Sequence, residues 1–181
     1  MTALATVNAY LNPFHRPAGA LDLGPLTRGI VIVAGSAMTT LCVIAIMRGI
    51  LGLTPDLPHL QNWAIAVHVA TVVPCVPLGL YLLLAPKGTP MHKQLGKLWV
   101  ALMVVTATST LWIHGLGNFS WIHIFVPMTY RAAWMIITSA RARNFKKHRN
   151  EIIGLFLGAL MIPGIFSFVI DGRLMNVLLL G

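Results

Sequence analysis

The chain has 181 residues, of which 57% are hydrophobic and 9% charged, and its mean hydropathy is +0.80. Soluble domains carry about 25% charged residues, so too few charges are present to cover a water-facing surface, and the length leaves room for one compact bundle. The net charge of +9 sets thirteen Lys and Arg against Asp22, Asp56, Glu151 and Asp171; because the basic residues sit at the ends of apolar runs, the excess points to membrane topology and anionic headgroups and excludes a nucleic-acid partner.

Residues 1–28 form a cytoplasmic or interfacial lead-in, in which ALATVNAYL can make a short interfacial helix and NPFHRPAGALDLGP reads as irregular. The start lacks the basic, apolar and small-residue regions of a cleaved signal peptide. From 29 to 181 the sequence predicts a single all-α transmembrane domain. A spanning helix needs roughly 20 mostly apolar residues, and five segments qualify, at 29–50, 63–85, 97–116, 121–140 and 152–171. The connectors LGLTPDLPHLQN, APKGTPMHKQLG, GNFS and RARNFKKHRNE carry the Pro, Gly, Asn and clustered charge that separate helices. Cys42 and Cys75 lie within the apolar runs and imply no disulfide framework.

Orientation follows from the basic residues. Five spans put the lead-in, the second connector and the fourth connector on one side, with ten Lys and Arg from Arg16 to Arg149, and leave Arg48 and Arg173 on the other. Positive residues stay inside, so the N-terminus is expected in the cytoplasm. Arg131 falls eleven residues into the fourth span, with no acidic residue expected at its depth. An arginine so deep costs several kcal/mol, on the order of the insertion scales, unless it faces the bundle interior, water or a partner. It is expected either to face inward and anchor an anionic group such as a cofactor carboxylate, or to snorkel to the cytoplasmic face.

Seven histidines are the most informative feature of so apolar a chain. His68 in the second span and His123 in the fourth match in depth near the outer face; His92 and His148 match near the inner face, before the third and fifth spans. Facing histidines on different helices can ligate one haem iron. The pairing of alternate helices resembles the two-haem arrangement of the cytochrome b561 class, although His92 and His148 fall in basic connectors and the ligands of that class lie within spans. Ala64, His68, Thr71, Cys75 and Gly79 share one face of the second span, and His123, Pro127, Tyr130, Arg131 and Trp134 one face of the fourth. A helix-packing role for the same histidines, or a metal or proton role for an outer cluster of His59, His68, His114 and His123, stays open. Gly154 and Gly158 make a G-x-x-x-G close-packing signal. No C-x-x-C-H, G-x-S-x-G, H-E-x-x-H or P-loop is present.

The stretch beginning at His68, with PLGLYLLLAPKGTPMHKQLGKLWVALM, SWIH at 120–123, KKHR at 146–149 and Gly172-Arg173, resembles a bacterial family of predicted membrane proteins of unknown function. That resemblance implies the bacterial inner membrane and favours His68, His92, His123 and His148 over the other histidines. It also implies a methionine shortly after the last of these, where this chain reads NEIIG. Together these features predict a small b-type cytochrome-like protein with one or two b haems, ligated by His68 and His123 and by His92 and His148, with Arg131 near a propionate. Electrons would pass to quinone or within a larger membrane redox complex. The alternatives are a non-catalytic subunit or assembly factor with packing histidines, and a metal or proton carrier.

Overall fold

The computed structural model describes residues 23–113 and 121–181, and within them every regular element is a helix. The first helix, α1 (Pro25–Ile50), opens on a proline, which supplies the preset φ of a first turn without losing a needed N–H. A short 3₁₀ turn (Pro58–Gln61) leads to α2 (Trp63–Leu84), capped by the Asn62 side chain, which accepts from the Ala64 N–H at 2.9 Å. Then come α3 (Pro90–Thr110), a 3₁₀ turn (Trp121–Ile124), α4 (Phe125–Arg141), α5 (Phe145–Val169) and α6 (Leu174–Leu180).

Three of these, α1, α2 and α5, are long and apolar enough to cross a membrane. Their surfaces suit lipid better than water: Leu26 is 79% and Val33 70% exposed on α1, and Trp63, Ile165 and Val169 stand outward on α2 and α5. The other two expected spans form helices of a different kind. α3 begins at Pro90, seven residues before expectation, because Thr89 caps it by accepting from the His92 N–H at 3.0 Å. Its first two turns therefore carry His92, Lys93 and Lys97. α4 has 17 residues, about 26 Å at the helical rise, a little under the hydrocarbon thickness. α5 likewise starts at Phe145 rather than 152, under the Asn144 cap, so His148 and Glu151 belong to a helix and not to a connector.

The core centres on Trp99 and Phe156, both fully buried. α2 runs antiparallel to α3, and the Trp99 indole N–H donates to the Cys75 carbonyl at 2.9 Å. Within α5, residues Leu155–Met161 are π-helical, with the Ile162 N–H reaching back five residues to the Leu157 carbonyl. Pro163 follows at once and cannot donate, which disfavours a regular α ladder through this turn. The G-x-x-x-G glycines are not the close-packing ones: a Cβ on Gly154 or Gly158 would meet open space, whereas one on Gly35, Gly79 or Gly164 would strike Leu80, Phe156 or Met38.

α6 is an element that hydropathy alone does not reveal. It buries Leu174, Met175, Asn176 and Leu178 against α1 and α5, with the Asn176 amide donating to the Phe168 carbonyl at 2.8 Å. Arg48, in the last turn of α1, donates to the carbonyls of Leu178 at 3.1 Å and Gly181 at 2.8 Å. The end of the bundle holding Arg48, His59 and Arg173 is thus closed by α6. At the opposite, basic end, Lys87 Nζ donates to the carbonyls of Leu82, Leu83 and Ala85 and satisfies the C-terminus of α2.

Candidate functional site

Near the end closed by α6, helices α2, α3, α4 and α5 part around a cavity of about 500 Å³, within the range of small-molecule and cofactor sites. Val72, Met103, Ala107, Val126 and Leu160 make its walls apolar. His68 and Thr129 face it from within, and His59 and Arg173 from the turns that close the end.

The hydrogen bonds of His68 gather on one ring nitrogen. Its Nδ1 lies 3.1 Å from the Thr106 carbonyl, 3.2 Å from Thr110 Oγ1 and 3.3 Å from Ser109 Oγ. Both hydroxyls already donate to that same carbonyl, at 3.0 and 2.8 Å. A carbonyl only accepts, so the tautomer bonded to Thr106 is the one with the hydrogen on Nδ1. Nε2 is then the lone-pair nitrogen, and it has no hydrogen-bond partner among the described residues. An imidazole whose N–H is tied to a backbone carbonyl while the other nitrogen stays basic is the arrangement of an oriented metal ligand. The support extends one layer further, since Thr106 Oγ1 donates to Thr71 Oγ1 at 2.8 Å and Thr71 donates back to its own helix at Val67.

His59 repeats the pattern with the nitrogens exchanged. Its Nε2–H donates to the Gly172 carbonyl at 2.9 Å, and its Nδ1 is buried without a partner. Sequence reasoning gave it no more than membership of a loose outer cluster, because a histidine in a Pro-rich connector carries no periodic signal.

His123 is buried, at 3% exposure, in the turn that enters α4. Its neighbours Ile122, Phe125 and Val126 line the cavity, and His123 itself does not. The structure therefore brings His59 and His68, rather than His68 and His123, onto one cavity. His114, the remaining member of the outer cluster, and His15 lie outside the described residues. Among the described residues no group of three or more His, Cys, Asp or Glu gathers as a metal site.

His148 Nδ1–H donates to the Ile136 carbonyl of α4 at 2.9 Å, and His92 Nδ1 is buried without a partner at the start of α3. His92 is held below its ordinary pKa of 6.5, first by burial and then by the charges of Lys87 and His148. The two rings therefore sense one another across the basic end of the bundle.

Arg131 does not take the inward of its two expected orientations. Its side chain is 69% exposed and pairs with Glu151, itself 17% exposed, at 3.5 Å. It neither faces the interior nor lines the cavity, and an acidic residue does stand at its depth once α5 is seen to begin at Phe145. Apart from His123, buried in the turn before α4, the expected inner face is turned outward: Pro127, Tyr130, Arg131 and Trp134 are exposed, while Val126, Thr129, Ala133 and Ile136 are buried. Small and β-branched residues let α4 pack closely, and the aromatic rings and the cation stay outside. Asp171 and Arg173 flank the turn at Gly172 and make no ion pair with one another. Comparison with known protein families, curated proteins and solved structures finds no match for this chain.

Proposed function

We propose that this chain is a small b-type cytochrome-like membrane protein that carries electrons within or across a bacterial inner membrane. The reading takes α3 and α4 as crossing with α1, α2 and α5, five times in all, with the N-terminus in the cytoplasm. The observation that carries it is His68: a basic Nε2 on a ring anchored through Nδ1, at a mostly apolar cavity of about 500 Å³.

The residues present fit a haem. The cavity has the size and apolar character for a macrocycle, His68 would hold the iron, and the orphaned Nδ1 of His59 is the better-placed second imidazole, with His123 behind the wall. Neutral imidazole is the ligating form, and the Thr106 carbonyl keeps His68 in the tautomer that presents Nε2. When bound, haem supplies one-electron chemistry at an iron whose potential is set by axial ligands and burial. The chain's own part is to exclude water with Met103, Val126 and Leu160 and to hold the ring orientation through Thr106, Ser109 and Thr110. His92 and His148 offer a second pair at the cytoplasmic end, which would extend the electron path across the bilayer toward quinone or a partner subunit.

An absorption spectrum of the detergent-purified full chain tests the proposal. A Soret band that His68→Ala abolishes is expected. Absence of any Soret band after haem-replete expression would leave the packing-subunit reading. That reading has its own support, since the polar contacts of His68 already tie α2 to α3. Stoichiometric transition metal without a Soret band would favour the metal carrier.

A further inference from the structure

Arg131 cannot serve the cavity, yet a cation does stand there. Arg173 lines the cavity from the turn between α5 and α6, half-buried. Its guanidinium has no hydrogen-bond or ion-pair partner among the described residues, although Asp171 is only two positions away. No carboxylate lines the cavity, and Arg173 is its one permanent charge among the described lining residues.

The turn that carries it is fixed at several points. Gly172 sits at φ 74°, a left-handed conformation natural to glycine. The Arg173 N–H closes the turn on the Ile170 carbonyl at 3.3 Å, and His59 Nε2–H holds the Gly172 carbonyl at 2.9 Å. Immediately beyond, Leu174 and Met175 are buried and fasten the start of α6. A cation on an anchored turn, left unpaired beside an apolar cavity, fits an occupant with an apolar body and an anionic edge.

We propose that Arg173 is the carboxylate anchor of this cavity and binds a propionate of the haem, with His59 positioning the turn that presents it. The inference rests on the haem reading above and adds to it the residue that fixes which edge of the macrocycle faces the membrane surface. A guanidinium offers a planar fork of donors matched to a carboxylate. Losing one charge-assisted hydrogen bond of this kind weakens binding by roughly tenfold or more.

The test uses the full chain, expressed under haem limitation and purified in detergent. It is titrated with haemin and with haemin dimethyl ester, whose propionates carry no charge. Wild type should bind haemin at least roughly tenfold tighter than the ester. Arg173→Gln should lose that preference by weakening haemin alone, Arg173→Lys should keep part of it, and Arg131→Gln should leave it intact. Removal of a nearby cation should also lower the midpoint potential of the bound haem in Arg173→Gln, because positive charge favours the electron-richer reduced state. Equal affinity of wild type for both porphyrins, or a Gln variant that still prefers haemin, would overturn the anchor while the Soret band upheld the haem reading. Equal loss of both ligands in Arg173→Gln would mean that Arg173 only holds the fold, and would overturn the anchor too. A wild type that takes up neither porphyrin would remove the haem reading and the anchor together.

Discussion

Trp99 stands over Gly79 so closely that a Cβ added to the glycine would lie 2.8 Å from the indole nitrogen, and 2.7 Å from the ring of Phe156. Both rings are fully buried, and neither offers a flexible end that could move aside. Gly79→Ala should therefore overpack the junction of α2, α3 and α5 and cost about 1–3 kcal/mol. Gly96→Ala, in the open on α3, should be neutral or stabilising by up to about 1 kcal/mol through helix propensity. Thermal denaturation of the two variants in one detergent checks the contrast; equal melting temperatures would contradict the packing described here.

The Arg131–Glu151 pair links α4 to α5. Arg131→Leu should destabilise the protein by leaving the less exposed Glu151 without its partner, and Arg131→Leu/Glu151→Leu should recover most of the loss. Because the arginine is largely exposed, the coupling energy from the double-mutant cycle should not exceed about 1 kcal/mol. Haem content should be unchanged in both variants. A single variant that loses haem would return Arg131 to the site.

Acid should weaken the basic end of the bundle. His92 is held below its ordinary pKa of 6.5 by burial, Lys87 and His148, so the unfolded chain binds its proton more readily than the folded one. Stability from this group is present above the unfolded pKa and is lost as pH falls through 6.5 toward the depressed folded value. His92→Gln should flatten that part of the curve. Denaturation followed between pH 8 and 5 reads the difference, and an unchanged slope in the variant would assign the acid sensitivity elsewhere.

Topology is tested by fusion. Reporters active only in the cytoplasm should work after Lys93 and after Lys147 and stay silent after Asp56 and at Gly181. An active reporter at Gly181 would mean that α3 or α4 does not cross, the two helices whose length or composition falls short of α1, α2 and α5.

Much of the helical layout was legible because apolar runs bounded by Pro, Gly and charge leave little choice of element. Helix starts were not, since Thr89 and Asn144 cap helices inside stretches that hydropathy reads as polar connectors. That single cause also hid Glu151 from Arg131. Depth places His68 toward this end of the bundle, whereas which histidine shares its cavity could not be read from depth. Depth along an axis says nothing of rotation about it, and Ile122, Phe125, Val126 and Thr129 line the cavity where His123 does not. Arg173 and His59 lie in turns, where no period marks which side chains converge. The glycines show the same limit, because Gly154 and Gly158 match a motif and pack against nothing, while Gly79 matches none and admits no side chain.

The π-helical turn at Leu155–Met161 makes α5 a rod with a phase slip. Five-residue closure stores one residue more than an α-turn needs, so everything beyond it is rotated by about 100° relative to an unbroken helix. Before the slip, Ile152 and Ile153 pack on the core; after it, Pro163, Ser167 and Ile170 line the cavity. One helix thereby keeps two azimuths, and the slip sets the direction in which Gly172 and Arg173 leave it. Deleting Gly158 should therefore remove the stored residue and restore an α-turn, with Gly172 and Arg173 still leaving the helix in the same direction.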